Sequence, residues 1–119
     1  MLIKSVRQGA VVTANDGCQL VELLHPKNDP VSLPYSLAIA EVAPHQSSYR
    51  HRLAQDEVYY LLSGVGVMHV DEQTSTVKAG DAIHIPAGAV QWIENPASEP
   101  LRFAAIVSPP WTAADDERL

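Results

Sequence analysis

Apolar residues along this chain come in short runs, many alternating with polar ones, spaced about ten residues apart and punctuated by glycine, proline, asparagine and aspartate. Cys18 to His25 reads as a strand, opened by the turn signal Asn15-Asp16-Gly17 and closed by Pro26. Tyr35 to Val42 is the next, bounded by Pro34 and Pro44. Glu57 to Leu62 leads into a Gly64-Val65-Gly66 turn and then Val67 to Val70. Asp71-Glu72-Gln73 turns the chain into Thr74 to Val77, and Gly80-Asp81 turns it again into Ala82 to Ile85, ended by Pro86. Val90 to Glu94 and Leu101 to Val107 complete the set. No segment carries helical apolar spacing over three turns; Thr112 to Arg118 alone predicts a short helical turn from a threonine N-cap. The pattern predicts an all-β domain.

Strand parity then sorts side chains by face, because successive residues point to opposite sides. Tyr59 and Leu61 share the face of Glu57, so Tyr59 rather than Tyr60 is expected to line the interior. His84 faces away from Ile83 and Ile85; parity does not say which of these faces is inside, and His84 joins Tyr59 as a candidate ligand-binding residue. Trp92 lies opposite Gln91 and is expected between sheets or at a subunit contact. His25 reads as an exposed turn residue, His45 as a surface loop residue and His69 as a partly covered surface residue. Trp111, after Pro109-Pro110, either closes one barrel end or anchors the tail.

The length of 119 residues fits one domain, 1–119, and 46% hydrophobic content supplies a core without staples. Eight basic against fourteen acidic residues give a net charge of -6 with no Lys/Arg stripe, which excludes a phosphate-backbone partner. No apolar run approaches the roughly 20 residues that span a bilayer, and the N-terminus lacks the apolar stretch of a secretory signal. A cytoplasmic protein without membrane or nucleic-acid partners is therefore expected. Cys18, the single cysteine, cannot form an internal disulfide and reads as a small apolar strand residue. Nucleophile-elbow, triad and phosphate-loop motifs are absent, and Gly64-Val65-Gly66 lacks the third glycine of a dinucleotide site.

Two segments carry a signature. Glu57-x6-Gly64 and Gly80-Asp81-x4-Pro86-x8-Asn95, separated by a 15-residue spacer, resemble the paired motifs of the cupin superfamily over roughly residues 37 to 108. The resemblance implies a cupin barrel, the double-stranded β-helix or jelly roll, with a small-molecule ligand in the barrel and a homodimer formed through an edge strand. It also implies a three-histidine, one-glutamate metal set, from which this chain departs. His51 and Glu57 occupy two of the four places, Leu53 stands for the second histidine, Gln91 for the last, and His45 for the opening glycine.

His51 and Glu57 would lie roughly 20 Å apart on one continuous strand. They meet only if Ala54-Gln55-Asp56 turns the chain, which would place them on adjacent strands. His45 would sit a similar roughly 20 Å up the strand from His51. With the amide oxygen of Gln91, His51 and Glu57 make a candidate metal site suited to Mn²⁺, Fe²⁺ or Ni²⁺ over Zn²⁺. The other reading of Gln91 is a hydrogen bond to Glu57 or His51 inside a metal-free pocket. Three functions follow: a weak-metal enzyme of isomerase, decarboxylase or oxygenase type; a metal-free ligand-binding or sensing module; and a metal-independent enzyme with His51 as general base beside Tyr59.

Overall fold

The computed structural model describes residues 1–119. In chain order the strands are β1 (Val12–Thr13), β2 (Gln19–Leu24), β3 (Ser36–Val42), β4 (His51–Leu53), β5 (Asp56–Ser63) and β6 (Val65–Val70). They continue as β7 (Gln73–Lys78), β8 (Ala82–Ile85), β9 (Val90–Glu94), β10 (Leu101–Ser108) and β11 (Asp116–Arg118). One sheet has the order β1-β2-β3-β10-β5-β8 and the other β11-β4-β9-β6-β7, with every pairing antiparallel. From β3 to β11 the chain changes sheet at every connection except β6–β7. That path is a jelly roll, the all-β barrel expected above.

The core lies between the two sheets. Leu61, Ile93 and Leu101 are fully buried, and Phe103, Ile85 and Leu53 nearly so. The alternation of β10 puts Leu101, Phe103, Ala105 and Val107 inward, and the Phe103 ring tilts against Tyr59 with centroids 4.2 Å apart. The β5–β6 crossing turns at Gly64 alone, with φ +89°, and a Cβ there would stand 2.7 Å from the Pro100 carbonyl oxygen. Val65 and Gly66, read as part of that turn, instead begin β6. Asn95 does the turn-forming work expected of it: its amide donates to the carbonyls of Val42 and Glu99, and its oxygen accepts from the Ala97 N–H. No helix is long and apolar enough to cross a membrane.

Three local expectations change. The C-terminal helical turn is only the 3-10 segment Ala113–Asp115, without a Thr112 side-chain cap, and the chain then extends as β11. The free edge of β4 explains this, because its backbone groups find partners in Asp116–Arg118. His25 is buried rather than exposed; its Nε2 lies 2.7 Å from the Trp111 carbonyl oxygen, and its Nδ1 accepts from the Lys27 N–H. Trp92 packs not between the sheets but on the outer face, its ring stacked on His69 and capped by Arg50.

Candidate functional site

The inner face of the six-stranded sheet and the β4–β11 edge enclose a cavity of about 500 Å³. Ala38, Ala40, Phe103, Ala105 and Val107 form its apolar wall, and Asp16, His51, Glu57, Tyr59, Trp111 and Asp116 its polar one. The size is that of a small-molecule pocket. A second, more open hollow of about 670 Å³ lies elsewhere, bordered by Glu41, His45, Tyr49 and Glu94.

Ala54 and Gln55 do bend the chain, but β4 and β5 do not become adjacent strands. They belong to opposite sheets, so His51 and Glu57 reach the cavity from its two walls. The reason is the backbone pairing: β4 bonds to β9 and β11, and β5 to β8 and β10. Gln91 sits opposite His51 in the β4–β9 register.

His51 is 3% exposed. Its Nδ1 lies 3.1 Å from Asp116 Oδ1, and the other Asp116 oxygen accepts from Trp111 Nε1 at 3.0 Å. With a carboxylate as partner, Nδ1 carries the proton, and in the neutral ring Nε2 presents a lone pair. Nε2 has no hydrogen-bond partner; Asp16 Oδ2 stands 3.6 Å away. Burial disfavours the imidazolium, yet the Asp116 hydrogen bond and the charges of Asp16, Asp116 and Glu57 outweigh it and raise the His51 pKa. Burial would likewise raise Asp116, but the hydrogen bonds from His51 and Trp111 prevail and hold its carboxyl below the usual range.

Gln91, on the same sheet as His51, bridges to the facing wall: Tyr59 donates to its Oε1 at 3.2 Å and its Nε2 donates to Glu57 Oε1 at 2.9 Å. Burial pushes Glu57 up to about 7, against the opposing effects of the Gln91 hydrogen bond and the His51 charge. Burial, reinforced by the Glu57 charge, holds the Tyr59 phenol well above its ordinary value, so it stays a donor. Cys18 is inert: burial and then the adjacent Asp16 charge push its thiol up.

Measured against a divalent ion, this donor set does not fit as it stands. Gln91 turns its NH₂, not its oxygen, toward Glu57, and that oxygen is taken by Tyr59. Asp16 and Asp116 approach different nitrogens of the His51 ring, and no group of three His, Cys, Asp or Glu side chains is placed to hold a metal. Leu53 and Tyr59 both line the cavity. His84 does not: Ile85 takes the interior, leaving His84 exposed on the outer face beside Asp56 at 3.2 Å. Asp16, Trp111 and Asp116 were missed from sequence. Asp16 is hidden inside a turn signal, and only the isolated aromatic Trp111 marks the tail as anchored.

Comparisons with known proteins bear on the family and the fold. The Cupin domain family model matches residues 38–107. An uncharacterized protein of Methanocaldococcus jannaschii, MJ1618, is 37% identical over 105 residues, covering 87% of this chain and 83% of that protein. An oxalate-binding protein of Thermotoga maritima is 37% identical over 51 residues, 43% of this chain and 42% of that protein. Among solved structures, a cupin 2 conserved barrel domain protein from Salinispora arenicola superposes with a TM-score of 0.77 at 23% identity, covering 96% of this chain and 91% of that one. Motif, barrel and relatives converge: this chain belongs to the cupin domain family.

Proposed function

We propose that the protein is a small-molecule cupin catalysing metal-independent proton transfer, with His51 as general base. The observation that carries this reading is the Trp111–Asp116–His51 chain, which ends in a buried, unpartnered Nε2 on the cavity. Nε2 takes a proton from an acidified C–H of the bound molecule, while Asp116 keeps the Nδ1 proton and stabilises the imidazolium formed. Glu57, protonated below about 7, gives its proton to the developing oxyanion, and the two groups exchange roles on the return step. Gln91 and Tyr59 position the Glu57 carboxyl. The reaction class is a proton shift next to a carbonyl, of the isomerase type.

The protein is tested in D₂O with a panel of small ketones, hydroxyketones and aminoketones, reading deuterium at carbon by mass spectrometry. Wild type is expected to label at least one member, with His51→Gln slower by about 10²-fold or more. Undiminished labelling by His51→Gln would remove His51 as the base.

Metal independence has its own check. Mn²⁺, Fe²⁺ or Ni²⁺ added to chelator-treated protein is expected to leave Tm within about 1 °C, because an ion that binds only the folded state raises it by linkage. A large upward shift would restore the His51, Glu57, Gln91 metal site. The Thermotoga relative is named for oxalate, but that dianion is not the ligand proposed here, since Asp16, Glu57 and Asp116 already crowd the cavity with carboxyl groups.

A further inference from the structure

The geometry points to an organic cation as the ligand: a small molecule with one ammonium group on a compact apolar body. This inference rests on the reading that the cavity is the small-molecule site. Its starting point is which polar atoms remain without a partner. Asp116 has given both oxygens away, to His51 and Trp111. Asp16 has given only Oδ1, to the Cys18 N–H, and Glu57 only Oε1, to Gln91.

Asp16 Oδ2, Glu57 Oε2 and the His51 Nε2 lone pair are therefore left for a ligand. That Nε2 belongs to a residue 3% exposed and has no hydrogen-bond partner of its own, so the acidic groups do not stand alone as the signal. With Glu57 ionised, as it is above about 7 and as a bound ammonium favours, and with His51 neutral, all three atoms are acceptors, and an ammonium brings three N–H donors. An anion meets no free cation, because no arginine lines the cavity and Lys27 at its edge lies 3.5 Å from Glu22 and over the Trp111 ring. A neutral alcohol has a single donor and leaves two acceptors unmatched.

The remainder of the wall suits the rest of such a molecule. Tyr59, Phe103 and Trp111 line the same space and offer aromatic faces to a cation. Ala38, Ala40 and Ala105 are small enough to leave room for an apolar ring. A largely buried carboxylate with one of its oxygens unpartnered is costly to keep ionised, and a bound ammonium offsets that cost while desolvating its own charge against two oxygens.

Calorimetric titration at matched pH and ionic strength compares three probes of one shape: cyclohexylammonium, cyclohexanol and cyclohexanecarboxylate. The expected order places the ammonium at least tenfold tighter than the alcohol, with the carboxylate weakest. Asp16→Asn is expected to lose tenfold or more of the ammonium affinity and to leave the alcohol unchanged. Because Asp16 also holds the Cys18 N–H, each variant's melting curve is recorded. Ala38→Phe, which fills the cavity from its apolar wall, is expected to abolish binding of the ammonium. Carboxylate binding as tight as the ammonium, no heat with the ammonium, or an ammonium affinity indifferent to both variants overturns the inference. If His51→Gln keeps full deuterium exchange while the ammonium still depends on Asp16, the proton-transfer reading fails and the cation class stands.

Discussion

Asp116→Asn is expected to slow His51-dependent proton transfer by about 10³–10⁴-fold, the scale seen when a catalytic histidine is held in its wrong tautomer. The reason lies in the third partner. Trp111 Nε1 can only donate, and it donates to Asp116 Oδ2. In the variant the amide oxygen must turn toward Trp111, so the NH₂ faces His51 Nδ1. Nδ1 then becomes the acceptor, the proton moves to Nε2, and the atom facing the cavity is no longer a base. KM for an identified substrate is expected to change little, because Asp116 has no free oxygen for a ligand. The wild-type rate rises with pH as His51, its pKa raised, loses its proton, and falls again as the proton donor Glu57 ionises at about 7; the variant lacks the rising limb. Trp111→Phe in the same background frees the amide to flip and is expected to recover part of the rate. A fall of less than about tenfold in Asp116→Asn, or no recovery in the double variant, means that Trp111 and Asp116 merely pack there.

Thermal stability is expected to be greatest in mildly acidic solution and to decline toward alkaline pH. Glu57 has its carboxyl pKa raised from 4.5 to about 7 by burial. A raised value means that its stabilising contribution is complete below the unfolded value and is lost as pH rises through the folded one. The difference is worth roughly 3 kcal/mol, or on the order of 10 °C in Tm for a domain of this size. His51, also raised, acts in the same direction, losing its contribution as pH climbs above its ordinary 6.5. Asp116, lowered, acts oppositely, and its contribution disappears only as pH falls below 3.8.

Glu57→Gln keeps an oxygen for Gln91 Nε2 and removes the charge. It is expected to match wild type near about pH 4, below the 4.5 at which the unfolded carboxyl titrates, and to melt several degrees higher near about pH 8, flattening the decline. Melting curves of both proteins across that range decide the matter. A wild-type Tm that is flat or rises from about pH 5 to 8 contradicts a buried, raised Glu57.

The strand order in time, the turns at Gly64, Gly80 and Asn95, and the sharing of one face by Glu57, Tyr59 and Leu61 were all legible in the sequence, because a strand repeats every two residues and glycine and asparagine accept the backbone angles of turns. So was the pairing of Gln91 with Glu57 or His51 as one of two readings; Gln91 bonds to Glu57. His84 shows where that reasoning stops. Parity places it opposite Ile85 but does not say which of the two meets the other sheet, and it is Ile85 that does. The same limit governs the site itself. Asp16, Trp111 and Asp116 reach His51 from positions 35 to 65 residues away, across a sheet edge that closes only when β11 pairs with β4. By itself the sequence determined the strands β2, β3 and β5 to β10, though not β1 or β11, and which side chains travel together. The tertiary structure decided which face is inside and which distant carboxylates flank the buried imidazole of His51, because burial and charge depend on neighbours in space and not on spacing along the chain.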